Sequence, residues 1–234
     1  MTPRRSLRGV ALPASLAVLL LAACAGPAAD EPVDTALPTL PAAGALDLPA
    51  PDLDLGTVGT GAPVTARESG SASVGFDAPE DVALIATLDC SACTGDIALS
   101  SPDRGSAWGT GTAPLTATYL VDLTGPAVPD RVDVAAEGDW TLTLSSSEDL
   151  TAVTGDQTGT GPVVLRLTEG GSHVRVTYTP AATGDELVLR VVSEADGTAT
   201  TSGADTAIDQ VMPITTPALI ALDTDGSWSV QPQP

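Results

Sequence analysis

From residue 57 to residue 231 the chain is a succession of short runs in which apolar and polar residues alternate, each closed by Gly, Pro, Asp or Ser. A side-chain period of two places alternate residues on opposite faces of an extended strand, whereas one face of a helix needs a period of 3.6. The runs fall near 62–67, 72–77, 82–88, 96–100, 116–123, 131–136 and 140–145, and again near 162–168, 173–179, 186–193, 198–201, 208–214, 218–222 and 227–231. Short strands about ten residues apart, separated by turn residues, indicate sandwiches or barrels. The expected fold class is therefore all-β and antiparallel.

The pattern also repeats. Gly59-Thr-Gly-Ala-Pro-Val64 recurs as Gly159-Thr-Gly-Pro-Val-Val164, and each copy leads into strand, Gly/Ser turn, strand, acidic Pro-containing turn, strand. Each half ends on Gly-x-Trp, as Gly138-Asp139-Trp140 and Gly226-Ser227-Trp228. Internal periodicity of this kind signals duplicated units. Two tandem small β-sandwiches are expected, module 1 over 57–145 and module 2 over 157–231, with the Ser/Asp/Thr/Gly-rich segment 145–157 as linker. In each Gly-x-Trp the glycine reads as a tight turn and the Trp as the first residue of a strand. With only three Trp, two Tyr and one Phe in the chain, Trp140 and Trp228 are expected in the cores, the alternative being exposed indoles that stack on sugars. Trp108 lies in the longer middle of module 1, in Gly105-Ser-Ala-Trp108-Gly-Thr-Gly. It is either a possible ligand contact or a local anchor.

The N-terminus is organised differently. Arg4, Arg5 and Arg8 precede an apolar run from Val10 to Ala23, broken only by Pro13 and Ser15. A run of about 14 residues is too short to span a bilayer and has the form of an export signal. It ends Leu21-Ala22-Ala23-Cys24, which resembles the lipobox of bacterial lipoprotein precursors. The resemblance implies cleavage after Ala23 and lipidation of Cys24, with diacylglycerol and palmitate-type acyl chains. Two or more chains anchor stably, whereas one binds marginally. Residues 1–23 are thus expected as a lipoprotein signal peptide. Residues 24–56, rich in Pro, Ala and Asp, are expected as a disordered tether. The expected location is extracytoplasmic, lipid-anchored to the cell membrane. The Arg pair does not choose between the Sec and Tat routes.

The repeated units resemble small, largely uncharacterised β-sandwich modules of secreted and lipid-anchored proteins from high-GC bacteria, which share Gly-x-Gly, paired alternating strands and a terminal Gly-x-Trp strand. That resemblance implies a fold and a setting, not an activity. Module 1 departs from it by a Cys pair and an extra middle segment.

Charge narrows the partners. Lysine is absent, and removal of the signal takes three of nine arginines, leaving six against 30 carboxylates and shifting the net charge from −21 to −24. Nucleic-acid binding, which needs basic patches, is excluded as a class. Direct adhesion to anionic headgroups is disfavoured in the same way, so the membrane is reached through the lipid anchor. The acidity supplies solubility and self-repulsion, or draws divalent or basic partners.

Few residues carry chemistry. Cys90-Ser-Ala-Cys93 reads as a local disulfide, a redox site or half of a metal site. A redox site needs a helix N-terminus, but Thr94-Gly-Asp-Ile-Ala-Leu reads as turn then strand. Zinc needs further ligands, and the chain offers only Cys24 and His173 besides. An oxidising compartment favours the disulfide. His173 reads as a surface or turn residue, since no Gly-x-Ser-x-Gly or His-Glu-x-x-His accompanies it. Asp223-Thr-Asp225-Gly resembles the first half of a calcium loop without its bidentate Glu, and equally a hairpin turn. No catalytic residue, metal or cofactor is assigned. The expected function is a non-enzymatic binding, adhesion or structural accessory module, with an envelope protein or glycan as possible partner. The alternative is a carbohydrate-active or hydrolytic surface protein. A groove gathering Trp108, Tyr119 or Tyr178 with two carboxylates would favour that alternative. A third reading is an envelope stress sensor using the Cys pair.

Overall fold

The alternating runs form strands. The computed structural model describes residues 51–79, 83–102, 107–121 and 130–234. The signal segment, Cys24 and the tether up to residue 50 lie outside the described residues. The described chain is all-β apart from one short 3-10 turn, Ser147–Asp149.

In the N-terminal half seven strands form one sheet: β1 (Leu53–Thr57), β2 (Val64–Ser69), β3 (Ala72–Asp77), β4 (Leu84–Ser100), β5 (Gly109–Thr112), β6 (Leu115–Val121) and β7 (Arg131–Ser146). β7 is the spine. Its first part pairs with β3 and its second with β2, while β4 runs antiparallel along its other side. β6 and β5 then pair with the first and second parts of β4. Side chains from both parts of β7, Val132 and Val134 as well as Leu142 and Leu144, enter a single core. The sheet therefore closes on its own face.

Four expected strands are thus two long ones. The runs 82–88 and 96–100 join as β4, and 131–136 and 140–145 join as β7. Gly138 is not a turn between strands but a point inside β7. The reason lies opposite it. In a regular strand residues 90 and 93 face opposite sides. Asp89 pairs with Thr141 and Ala92 with Asp139, so three steps of β4 match two of β7. This β-bulge moves the buried face of β4 from Leu84, Ala86, Leu88 and Cys90 to Cys93, Ile97 and Leu99. Both cysteines therefore face the core, at disulfide distance with Cα atoms 5.0 Å apart. Cutting this link by Cys90→Ala with Cys93→Ala is expected to cost about 2 kcal/mol, since so short a loop limits the chain-entropy gain. Urea midpoints of the two proteins measure it, and coincident curves would show that the bulge holds without the bond.

β1 corrects the tether boundary. It lies within the segment expected to be disordered, yet it pairs parallel to β3 and packs Leu53 and Leu55 on the core. Asp52 Oδ2 accepts a hydrogen bond from the main-chain N–H of Ser73 at 2.8 Å. Leu53-Asp-Leu55 is itself an alternating run, masked by the Pro- and Asp-rich composition around it.

The C-terminal half contains β8 (Ala152–Val153), β9 (Gln157–Thr160), β10 (Val163–Leu167), β11 (His173–Thr179), β12 (Leu187–Ser193), β13 (Ala199–Ala204), β14 (Ile208–Pro213), β15 (Ala218–Asp223) and β16 (Ser227–Gln233). One sheet has the order β13-β12-β15-β10-β8 and the other β14-β11-β16-β9. Leu167, Leu189 and Leu222 of the first share a core with Val176, Trp228 and Val230 of the second. Trp140 and Trp228 are both buried, each tied by its indole N–H to a glycine carbonyl: Gly70 at 2.6 Å and Gly161 at 2.9 Å.

The repeated Gly-Thr-Gly has two different roles. In the second copy a Cβ on Gly159 would overlap the Trp228 ring, so the glycine makes room for that indole. In the first copy the main-chain N–H of Gly61 donates to Asp149 Oδ1 at 2.7 Å, and Thr60 Oγ1 donates to Glu148 Oε2 at 2.9 Å.

The segment expected as a linker is folded. It holds the 3-10 turn and β8, and Leu48–Pro234 forms one compact unit. A third apolar cluster joins the halves: Ile85 and Leu120 pack on Val164, Val192, Leu219 and Ala221. β15 is consequently buried on both faces, with Leu219 and Ile220 fully inaccessible. Polar ties flank the cluster. The main-chain N–H of Ser147 donates to Ala83 O at 2.7 Å, and Arg166 Nε donates to Glu194 Oε2 at 3.0 Å.

Candidate functional site between the two halves

The outer face of the five-stranded sheet changes character along its length. On paired rungs of β15 and β12 stand Leu219 with Val192, Ala221 with Arg190, and Asp223 with Val188. Leu219 and Val192 lie under Ile85 and Leu120. Farther along, the cover ends and a cleft of about 280 Å³ opens between Trp108, Tyr119 and Leu120 of one half and Val188, Arg190 and Asp223 of the other.

Each lining group is positioned by the fold. Tyr119 lies on β6, and its ring rests against Gly109 of β5, where a Cβ would overlap it. Trp108 directly precedes β5, and its main-chain N–H donates to Leu99 O at 2.7 Å. Arg190 reaches across to the other half, where its Nη2 donates to the Leu120 carbonyl. Asp223 ends β15 just before a turn built on a second carboxylate. Asp185 Oδ1 accepts from Thr224 Oγ1 at 3.0 Å and from the main-chain N–H of Asp225 at 3.1 Å, while its Oδ2 accepts from Ala181 N–H at 2.8 Å. Those donors hold the Asp185 carboxyl below its ordinary range against the opposing effect of burial. The Asp223-Thr-Asp-Gly segment is thus a hairpin turn ordered by Asp185. Among the described residues no group of three or more His, Cys, Asp or Glu is placed to hold a metal ion.

The cleft carries unusual electrostatics. Burial, reinforced by nearby Asp225 and partly offset by Arg190, pushes the Asp223 carboxyl up to about 6. Burial, with Asp223 and Asp225 adding to it, raises the Tyr119 hydroxyl well above its ordinary range. The lining therefore combines a neutral phenol, a guanidinium and an acid poised just below neutrality. A perturbed acid in a cleft is a candidate functional group.

The residues singled out from sequence separate into three groups. Trp108 lines the cleft while only 8% exposed, so it is anchor and wall together. Tyr119 joins it. Tyr178 belongs to the second core, and exposed His173 shares a 2.8 Å hydrogen bond with Ser172 Oγ at the start of β11. The sequence pattern does not single out Arg190, and it offers Asp223 only as a turn or calcium residue. Their signal was a lone charge at an outward position of a strand otherwise apolar on both faces. No protein-family model matches the chain, and no curated protein matches it.

Proposed function

We propose that the protein is a lipid-anchored, extracytoplasmic binding protein of the bacterial cell envelope, non-enzymatic, whose ligand occupies the cleft between its two halves. In this reading each half is a small β-sandwich and the pair rides on the N-terminal tether. The observation that carries it is the cleft itself. Its walls come from two different cores locked together by the Leu120–Leu219 cluster, and a preformed concave site with a few convergent polar groups is the usual form of a ligand site. A net charge of −24 after signal removal leaves nucleic acid out as partner.

A carbohydrate-active protein would also gather Trp108 and Tyr119 with carboxylates. Glycoside hydrolysis, however, needs two carboxylates flanking one bond. Among the described residues Asp223 is the one carboxylate that lines the cleft, and Asp225 is solvent-exposed beyond it. Binding without turnover is the reading that the lining supports.

Two measurements test the two parts. Mass spectrometry of the mature N-terminus is expected to find diacylated Cys24, and Cys24→Ala is expected to release the protein from the membrane fraction. A free Cys24 or cleavage elsewhere removes the anchor. For the cleft, the three indole N–H signals of the mature chain give a site-resolved readout by NMR. A library of small polar fragments is expected to move the Trp108 signal and leave those of Trp140 and Trp228 in place; a Trp108 signal that nothing moves removes the cleft.

A further inference from the structure

Given that the cleft is the binding site, we propose that it takes a neutral saccharide unit of one or two rings. The argument begins with the wall. Val188, 43% exposed, offers apolar surface beside the largely buried Trp108 and Tyr119, whereas Arg190, which also donates to the Leu120 carbonyl, and Asp223 offer polar groups of opposite kind. A guanidinium only donates hydrogen bonds, and an ionised carboxylate only accepts them. A sugar ring has the matching asymmetry: a C–H face that packs on apolar and aromatic surface, and hydroxyls that donate and accept at once. Arg190 and Asp223 stand on adjacent strands one outward rung apart, since Arg190 pairs with Ala221 and Val188 with Asp223. Diagonal neighbours on paired antiparallel strands lie about 7 to 8 Å apart, so the two groups are spaced to engage hydroxyls on opposite edges of one ring.

Charge removes the simpler ionic ligands. A lone ammonium would meet Arg190, and a lone carboxylate or phosphate would meet Asp223 with Asp225 close by. Size sets the upper limit. At about 280 Å³ the cleft lies just under the common range for drug-sized ligands, roughly 300 Å³ and above. A small zwitterion such as a free amino acid also balances the two charges, but it leaves the apolar lining at Val188 without a partner.

The test uses the lipidated mature chain in a polyoxyethylene detergent, which carries no sugar headgroup. Maltose, cellobiose, arabinose and methyl mannoside are titrated separately from glycine and alanine, with the Trp108 indole signal as readout. At least one saccharide is expected to shift it at millimolar concentration. Asp223→Asn is expected to weaken that binding tenfold or more, and Val188→Trp, at an exposed position, to abolish it by filling the mouth. A signal moved by an amino acid and by no saccharide overturns the saccharide assignment and leaves the cleft a binding site. A signal moved by no saccharide, no amino acid and no fragment overturns both.

Discussion

Replacing Gly138 with valine is expected to destabilise the protein by roughly 3 kcal/mol, through backbone strain and steric overlap acting together. Gly138 has φ +107°, a region that residues with a Cβ rarely adopt. A Cβ there would also lie 2.9 Å from Ala92 O and 3.0 Å from the Cys93 Cα. The opposing backbone has little freedom to retreat. Cys93 pairs with Gly138 in the ladder and is linked back to Cys90 across the bulge. Gly197 provides the control: its φ is also positive, but nothing lies within 4 Å of a Cβ there. Gly197→Asn is expected to cost well under 1 kcal/mol, because Asn tolerates the left-handed region. Equal urea midpoints for the two variants would mean that β7 does not need its glycine where the sheet turns onto its own face.

That bend shows what the sequence disclosed and what it concealed. The all-β class was legible because a period of two survives in almost every segment, and most expected runs coincide with strands within a residue or two. The continuity of β4 and β7 was not. Gly95 and Gly138 look like turn residues, and a positive φ serves a bulge as well as a turn. The information was nevertheless present in the Cys pair. An odd spacing inside a strand can be bridged only where an extra residue returns both side chains to one face. The docking of the halves was concealed for another reason. Ala218-Leu-Ile-Ala-Leu222 is apolar at every position, which marks burial on both faces, whereas strand spacing alone makes it one more alternating run. Identical Gly-Thr-Gly motifs likewise could not show that one copy would pack under Trp228 and the other cap the 3-10 turn. Those partners come from distant parts of the chain.

The candidate site was half legible for the same reason. Scarce aromatics drew attention to Trp108 and Tyr119. Their partners Arg190 and Asp223 belong to the other half, and the Ile85 and Leu120 contact with the outer face of β12 and β15, with the Arg190 bond to the Leu120 carbonyl, brings them near. No local pattern encodes that juxtaposition.

Asp223→Asn is expected to raise stability at pH 7.5 by about 1 to 3 kcal/mol while weakening the proposed ligand. In the folded chain the Asp223 carboxyl is raised from an ordinary 3.8 to about 6, chiefly by burial. A raised carboxyl binds its proton more tightly when folded than when unfolded. Between pH 3.8 and about 6 the folded chain holds a proton that the unfolded chain has lost, so stability falls as pH rises through that window. Above it the whole cost is in place, at most about 3 kcal/mol for a rise of this size. Asparagine has no proton to lose and no such slope. Asp89, Asp185, Asp196 and Asp209 are shifted the other way. Their contribution is present above 3.8 and disappears only as pH falls through their lower folded values, so they do not mask the window of Asp223. Urea unfolding of both proteins from pH 4.5 to 8 should give curves that converge at the acidic end and separate toward the alkaline end. Parallel curves would show that Asp223 is not the buried acid responsible. An acid that costs stability at neutral pH is retained where it does something else. A variant that is both more stable and still binds with undiminished affinity would leave this carboxylate without a role in the cleft.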